Sequence, residues 1–231
     1  MDQAADQPVT GQPTLSAAAP APSLPRLGAP APVFEAETTH GRLSLEDFRG
    51  SWVILFSHPA DFTPVCTTEF VEFARIAPDL RERGVELLGL SIDSIYSHIA
   101  WAKTIEEKFG IDIPFPIIAD SDRKVASLYG MVMPDGGGTE TSRCVFFIDP
   151  NGTIRSMIYY PLTTGRNMEE VLRVIDALQT TDKHGVATPA NWRPGDKAIV
   201  PAPRTVEDAD ARKDQGYDYT DWWFCKTEVK G

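Results

Sequence analysis

Three cysteines are the residues of this 231-residue chain best suited to nucleophilic or redox chemistry, namely Cys66, Cys144 and Cys225. They are too widely spaced to form a C-x-x-C pair, and they are too few for a dense disulfide framework. In a reducing compartment, isolated cysteines are either inert core residues or catalytic groups. The neighbours of each cysteine must therefore distinguish these two roles.

Cys66 lies where a predicted buried strand is followed by an amphipathic helix. The run WVILF, from Trp52 to Phe56, is continuously apolar, and CTTEFVEFARIAPDLRERG, from Cys66, has apolar residues at helical spacing before Gly84. Backbone N–H groups and the positive end of the helix dipole would face the sulfur, which favours a thiolate. The alternative is a buried, unreactive cysteine, the commoner fate of a lone cysteine.

The segment before the sulfur decides between these alternatives. Pro59, Thr63 and Cys66 in PADFTPVC resemble the P-x-x-x-[TS]-x-x-C signature of the peroxiredoxin family, and FSHPADFTPVCTTE resembles the active-site segment of its 1-Cys-type subfamily. The similarity runs from about Leu27 to the C-terminus. The resemblance implies a thiol-dependent peroxidase that reduces hydrogen peroxide and organic hydroperoxides, with Cys66 as the attacking sulfur.

Thr63 and Pro59 are predicted to shape the surroundings of the sulfur. Thr63 stands three residues before Cys66, so its hydroxyl could bind the sulfur or a peroxide oxygen; it could also cap the helix that follows. Pro59 would shape the loop and shield the sulfur, or it is simply a turn residue after a strand.

One charged residue is a candidate for stabilising the thiolate, and a second is a candidate for orienting the first. Arg143 opens the strand RCVFFID and matches the family's active-site arginine, although without the motif a solvated arginine at a strand end would be expected. Glu69 follows Cys66 by one helical turn and could pair with Arg143, or it could only complement the helix dipole.

Two further candidates come from the subfamily resemblance. His58 precedes the signature proline and would lie in the pocket, where it could exchange protons or hydrogen-bond an oxidised sulfur; a structural histidine is the alternative. Arg166, in TTGRN, matches another arginine near the pocket, and its alternative is a surface residue in the first turn of a helix.

The other two cysteines have different expected roles. Strand alternation directs Cys144 to the face opposite Arg143, so a core position is predicted. The tail GYDYTDWWFC resembles the C-terminal arm of archaeal-type members of the subfamily, which resolve the sulfenic acid through an additional cysteine of a neighbouring subunit. The resemblance thus implies that Cys225 resolves Cys66 and stays mobile enough to reach it while the aromatic residues dock. The alternative is a free tail thiol.

Alternative functions use the same cysteines differently. A disulfide oxidoreductase would require a second cysteine three residues from Cys66, where Thr63 and Glu69 stand instead. A redox sensor or oxidation-dependent holdase is compatible with the sequence. The expected partners of a peroxidase are the peroxide, a thiol reductant such as thioredoxin, and a second subunit in a homodimer that could assemble further into a decamer.

The order of predicted elements indicates an α/β fold. The βαβ units, an Asn-Gly hairpin and a closing helix predict a thioredoxin-like fold with a central mixed sheet, helices on both faces and a C-terminal extension. After the first strand and helix, the expected elements are strands at Val85–Ile92 and Ile117–Ala119, helices at Ser94–Phe109, Asp122–Tyr129 and Met168–Leu178, and the hairpin strands CVFFID and TIRSMIYY.

Composition divides the chain into three parts and restricts its partners. We expect a flexible Ala/Pro-rich leader at 1–26, a peroxidase domain at 27–183, and a dimerisation arm at 184–231 that is irregular in structure. The net charge of -11 argues against binding to nucleic acid or an anionic membrane. No long apolar run or secretory signal is present, so we expect a cytoplasmic protein. We also expect no cofactor and no metal.

Overall fold

The computed structural model describes residues 24–132 and 138–229. Most of the predicted leader, 1–26, lies outside the described residues. Within them, ten strands and five α-helices alternate along the chain. The strands are β1 (Glu35–Thr38), β2 (Gly41–Ser44), β3 (Trp52–Ser57), β4 (Val85–Ser91), β5 (Ile117–Ala119), β6 (Arg143–Ile148), β7 (Ile154–Tyr160), β8 (Ala198–Val200), β9 (Asp218–Asp221) and β10 (Phe224–Thr227). The helices are α1 (Pro64–Glu82), α2 (Ile95–Phe109), α3 (Lys124–Leu128), α4 (Met168–His184) and α5 (Val206–Ala211).

The first seven strands form one mixed sheet in the order β2-β1-β5-β4-β3-β6-β7. Strand β3 pairs in parallel with β4 and antiparallel with β6. All six residues of β3 are buried, because the strand has neighbours on both edges and side-chain layers on both faces. The predicted buried strand is therefore confirmed, and it lies inside the sheet next to the strand that begins with Arg143.

The two faces of this sheet bury separate hydrophobic clusters. Ile54 and Phe56 of β3 pack with residues of α1, α2 and α4. Val53 and Leu55, which alternate with them, pack on the other face with residues of α3. The architecture is the predicted α/β arrangement, a mixed sheet with helices on both faces.

Local signals fix where the helices begin and end. Thr63 is the N-cap of α1 and proline occupies the first helical position, where its missing N–H is not needed. The side chain of Ser94 caps α2, and Gly110 ends it in the left-handed conformation. Helix α4 continues to His184, six residues beyond the predicted end, before a left-handed Gly185.

The sequence did not predict two groups of short strands. Strands β1 and β2 form an antiparallel hairpin at one edge of the large sheet. Residues beyond His184, which we expected to be irregular, form a three-stranded antiparallel sheet in the order β8-β10-β9. That expectation was wrong. Strands of three or four residues are too short to show a period in the sequence, and the pairing of β8 with β10 joins segments far apart in the chain.

The boundaries of the three predicted parts stay predictions. In the part of the chain that the structure describes, no helix is both long enough and apolar enough to cross a membrane.

Candidate active site

The loop between β3 and α1 is held by hydrogen bonds to neighbouring strands. The backbone N–H of His58 donates to Leu90 O of β4, and the hydroxyl of Thr141 donates to the carbonyl of His58. Phe62, near the end of the loop, has a left-handed backbone with φ of 55°, an uncommon conformation for an aromatic residue. These constraints fix the entry into α1 and therefore the position of Cys66 in its first turn.

Cys66 is fully buried, and its sulfur accepts a hydrogen bond from Nη1 of Arg143 at 3.4 Å. The guanidinium is itself anchored, because its Nε and Nη2 donate to the carbonyl of Leu162 at 2.9 and 2.8 Å. A fixed guanidinium therefore lies beside a sulfur in the first turn of a helix. The interpretation of Arg143 as a solvated strand-end residue is wrong, since only 3% of its surface is exposed.

Glu69 lies between two buried arginines. Its Oε2 accepts from Nη1 of Arg143 at 2.6 Å and from Nη2 of Arg166 at 2.7 Å. Its Oε1 accepts from the backbone N–H and the Nε of Arg166, both at 2.9 Å. The predicted pairing of Glu69 with Arg143 is therefore present, and the carboxylate does more than complement a helix dipole.

Arg166 connects this cluster to the sheet. Its Nη1 donates to the carbonyls of Ser57 and Cys144 at 2.9 and 3.0 Å. Burial lowers the pKa of Arg166, and the charge of Glu69 opposes that change. The alternative of a surface residue in the first helical turn is wrong, because Arg166 is buried and precedes α4, whose N-cap is Asn167.

Thr63 and Pro59 border the sulfur's loop. The hydroxyl of Thr63 donates to the carbonyl of Ala60 at 2.9 Å, and its side chain makes no capping hydrogen bond. The predicted capping role is therefore wrong for the side chain, although Thr63 is the N-cap residue by its backbone. Its hydroxyl oxygen keeps acceptor capacity for another donor. Pro59 is buried in the loop after β3.

His58 belongs to a buried polar group that sequence reasoning only partly found. Its Nε2 lies 2.8 Å from Oδ1 of Asp61, and Nδ1 of His98 lies 2.8 Å from the other oxygen of the same carboxylate. Asp61 and His98 were missed, because His98 lies on α2, 37 residues away, and only the fold brings the two together. The spacing of His58 and Asp61, three residues apart in a tight loop, was the one available signal.

Cys144 is a core residue, as predicted. It lies in the hydrophobic cluster on the face of the sheet opposite Cys66. Burial raises the pKa of the Cys144 thiol, and hydrogen bonds from Ser142 and Ser57 only partly offset this. A protonated, enclosed thiol is a poor nucleophile.

The structure does not bring Cys225 to the site. The residue lies in β10, the middle strand of the C-terminal sheet, where it pairs with Val200 on one side and Tyr219 on the other. Only 1% of its surface is exposed, and its thiol donates to the carbonyl of Asp221 at 3.2 Å. Cys225 must therefore leave this enclosed position before it can react with another thiol, and its approach to Cys66 of a neighbouring subunit stays a prediction.

Comparison with known proteins gives two family matches. Residues 27–157 match the AhpC/TSA family, and residues 177–216 match the C-terminal domain of 1-Cys peroxiredoxin. A peroxiredoxin of Aquifex aeolicus (strain VF5) is 57% identical over 218 residues, which cover 90% of this chain and 98% of that protein. Peroxiredoxin 2 of Picrophilus torridus is 54% identical over 202 residues, with coverage of 87% and 98%.

The chain belongs to the peroxiredoxin family. Solved structures agree, since a yeast mitochondrial 1-Cys peroxiredoxin superimposes with a TM-score of 0.79 at 45% identity, covering 88% of this chain and 99% of that one. Peroxiredoxin 6 of Arenicola marina gives a TM-score of 0.74 at 45% identity, with coverage of 80% and 88%. As a peroxiredoxin, the protein has the thioredoxin-like fold of the family and is a thiol-dependent peroxidase. The predicted resemblance is confirmed.

Proposed function

We propose that Cys66 is the residue that attacks the peroxide, and that the substrates are hydrogen peroxide and organic hydroperoxides. The observation that supports this best is the anchored guanidinium of Arg143, 3.4 Å from the buried sulfur and paired with Glu69. A preorganised cation stabilises both the thiolate and the negative charge that develops on the peroxide oxygens. The Thr63 hydroxyl and Pro59 complete the peroxide site, and Glu69 and Arg166 hold Arg143 in place.

In the proposed reaction the thiolate sulfur attacks one peroxide oxygen, and the O–O bond breaks. The sulfur becomes a sulfenic acid, and the departing oxygen takes up a proton to leave as water or an alcohol. His58 is the proposed site of proton exchange, because it is a buried imidazole next to the loop that carries Cys66.

We propose that Cys225 of a neighbouring subunit then condenses with the sulfenic acid, which releases water and forms a disulfide. Since Cys225 is enclosed in the C-terminal sheet, this step requires local opening of β10 from β8 and β9. An external dithiol such as thioredoxin would reduce the disulfide. The solved yeast relative is described with thiol resolving through glutathione and thioredoxin systems. The proposed assembly is a homodimer that could extend to a decamer, and the cytoplasmic location stays a prediction.

Stopped-flow measurement of peroxide consumption by the reduced protein tests the role of Cys66. Cys66→Ser should abolish turnover, whereas Cys144→Ser, which removes a buried thiol from the other face of the sheet, should retain it. Full thiol-dependent activity in Cys66→Ser would overturn the proposal. Oxidation-dependent oligomerisation without peroxide turnover would instead favour the redox sensor or holdase.

Non-reducing electrophoresis after one equivalent of peroxide tests the role of Cys225. We expect a band of dimer size that disappears in Cys225→Ser and persists in Cys144→Ser. A dimer band that survives in Cys225→Ser would remove Cys225 from the mechanism and leave resolution to an external thiol.

A further inference from the structure

Three buried polar side chains form a chain of hydrogen bonds beside the catalytic helix. His58, Asp61 and His98 come from the loop before α1 and from α2, and all three are less than 8% exposed. The carboxylate of Asp61 bridges the two imidazoles, with both nitrogen–oxygen distances at 2.8 Å. The positions of the protons in this group follow from what each neighbouring atom can donate or accept.

Both ring nitrogens of His98 face atoms that accept hydrogen bonds. Its Nε2 lies 3.2 Å from the carbonyl of Ile118, which can only accept, so Nε2 carries a proton. Its Nδ1 faces the carboxylate of Asp61, which also can only accept when ionised. Burial alone would raise the pKa of Asp61, but hydrogen bonds from His58 and His98 outweigh it and hold that pKa well below its usual range. The two contacts of His98 predict that it carries a proton on each nitrogen and pairs with the Asp61 carboxylate.

His58 is left neutral, with one proton in a defined place. Burial lowers the pKa of His58 despite the opposing effect of Asp61. Because its Nε2 faces the carboxylate, the single proton lies on Nε2. The other nitrogen, Nδ1, is buried and has no hydrogen-bond partner among the residues that the structure describes.

The ring of His58 lies against the same helix face as the attacking sulfur. Its centroid is 4.6 Å from that of Phe70, which follows Cys66 by one helical turn and faces the same cluster. We infer that Asp61 and His98 are positioning residues, which hold His58 in the Nε2–H tautomer so that a bare Nδ1 accepts a proton in the buried layer containing Cys66. This inference rests on the proposed function of Cys66.

The positioned nitrogen completes the proton balance of the proposed reaction. Nδ1 takes the proton from the peroxide oxygen that the Cys66 thiolate attacks, which leaves an imidazolium. As the S–O bond forms and the O–O bond breaks, the imidazolium gives that proton to the departing oxygen, and the sulfenate left on the sulfur takes up a proton from solvent to become the sulfenic acid. His58 is then neutral again, while Asp61 stays ionised and His98 keeps its ring protons throughout.

A bound metal ion is the competing explanation for two histidines around one carboxylate. These three residues are the one group in 24–132 and 138–229 whose ligand atoms are close enough to hold an ion. However, the separations of 2.8 Å between each nitrogen and its carboxylate oxygen are those of hydrogen bonds. Shared protons therefore account for the geometry.

Nitrogen-15 NMR of histidine-labelled, reduced full-length protein tests the inference directly. The exposed His40 and His184 are first replaced by glutamine, so that only the two buried histidines give signals. We expect one neutral ring protonated on Nε2 and one ring protonated on both nitrogens. A neutral His98, a His58 protonated on Nδ1, or a stoichiometric metal in the purified protein by elemental analysis would overturn the inference.

The variant Asp61→Asn tests the positioning role. A carboxamide offers one oxygen acceptor, so it cannot accept from both histidines in the same way, and at least one ring should change its protonation. We expect the NMR signal of His58 or His98 to change and sulfenic acid formation to slow by about 10- to 100-fold, as for other orienting partners. Unchanged signals together with an unchanged rate would overturn the positioning role.

Asp120→Asn is the matched control. Asp120 is also buried, but its carboxylate accepts from the backbone N–H groups of Val125 and Ala126 and contacts no histidine. The Asp120→Asn variant should lower the free energy of unfolding without changing either histidine signal. If the histidine signals did change, the change seen in Asp61→Asn would not be specific to the contacts of Asp61. Because the signals are read in the resting protein, they stand even if Cys66→Ser shows that another residue attacks the peroxide. If Asp61→Asn does not fold, the protonation pattern of the native protein still decides the inference.

Discussion

At the scale of single residues, Glu69 is the centre of the site. One carboxylate binds two guanidiniums that are both buried, and each guanidinium has a further anchor on backbone carbonyls. Buried charges are stable only when they are paired and their remaining donors are satisfied. The position of Arg143 beside the sulfur therefore depends on a residue that does not touch the sulfur itself.

Replacing Glu69 with glutamine should therefore damage both stability and activity. The amide cannot neutralise either arginine, and we expect the free energy of unfolding to fall by about 3–5 kcal/mol. Peroxide consumption should slow because Arg143 loses the group that orients it. Urea unfolding followed by circular dichroism and stopped-flow kinetics would measure the two effects.

The control for this prediction lies three residues further along α1. Glu72 pairs with Arg75 on the exposed side of the helix, so Glu72→Gln should change the free energy of unfolding by less than about 1 kcal/mol. Equal losses in the two variants would show that burial does not distinguish the two pairs.

The buried imidazole of His58 gives a prediction about pH. Burial lowers the pKa of His58 against the opposing charges of Asp61 and Asp93, with His98 lowering it further. A histidine in the unfolded chain takes up a proton near pH 6.5, whereas folded His58 does not. The contribution of His58 to stability is therefore complete above that pH and is lost as the pH falls below it.

The free energy of unfolding should consequently decrease between pH 7 and pH 5.5 more steeply in the native protein than in His58→Gln. Urea titrations at both pH values measure the slope. The exposed His184→Gln should keep the native slope, and a His58→Gln protein with that same slope would contradict the prediction.

Sequence reasoning reached part of this site. Cys66, Glu69 and Arg143 were predicted because a long motif, a helical spacing of three residues and a strand end each left a signal in the chain. Asp61 and His98 left almost none, because their contact depends on how α2 packs against the loop. Side-chain contacts between distant segments are set by the fold rather than by local pattern.

At the scale of elements, the start of α4 supports the site. The side chain of Asn167 accepts a hydrogen bond from the backbone N–H of Glu170 and caps the helix directly after Arg166. Asn167→Ala should lower the free energy of unfolding by about 1 kcal/mol. Asn167→Asp keeps a capping oxygen, so its free energy of unfolding should be nearly that of the native protein. Equal losses of stability in Asn167→Ala and Asn167→Asp, measured by thermal or urea unfolding, would show that the capping hydrogen bond contributes nothing.

The long elements were predictable and the short ones were not. Strand β3 and helix α1 carry an uninterrupted apolar run and a helical period, and they form where the sequence indicates. The C-terminal strands have only three or four residues each, too few to show a clear strand period. Their pairing depends on contacts between residues near 199 and 226, which no local pattern reveals.

At the scale of the whole molecule, the C-terminal extension presents aromatic surface. Trp222 and Trp223 are 46% and 53% exposed in the single chain, and Trp222 lines a cleft with Val206 and Tyr219. Large exposed aromatic residues are typical of surfaces that bind another protein. The predicted docking of this segment in a homodimer would bury them.

Trp222→Ala should therefore weaken the proposed homodimer. A tryptophan at the centre of an interface contributes about 2 kcal/mol or more, so the dissociation constant should rise by about 30-fold. Sedimentation equilibrium measures this constant. Tyr96→Ala removes an aromatic residue that is 81% exposed on α2 and should leave the dissociation constant unchanged. A Trp222→Ala dimer as tight as the native one would exclude the surface around Trp222 from the interface.

The cluster around Glu69 also has an electrical consequence for the catalytic cycle. Two guanidiniums and one carboxylate leave one positive charge in the interior, and a Cys66 thiolate makes the group electroneutral. A sulfenic acid is neutral, so oxidation uncovers a buried positive charge, which a low-dielectric interior disfavours. Oxidised Cys225→Ser protein should then melt at a lower temperature than its reduced form in scanning calorimetry, and equal melting temperatures would refute this. The same imbalance would favour return of the sulfur to its anionic state, so that the resting charge arrangement itself helps to drive reduction.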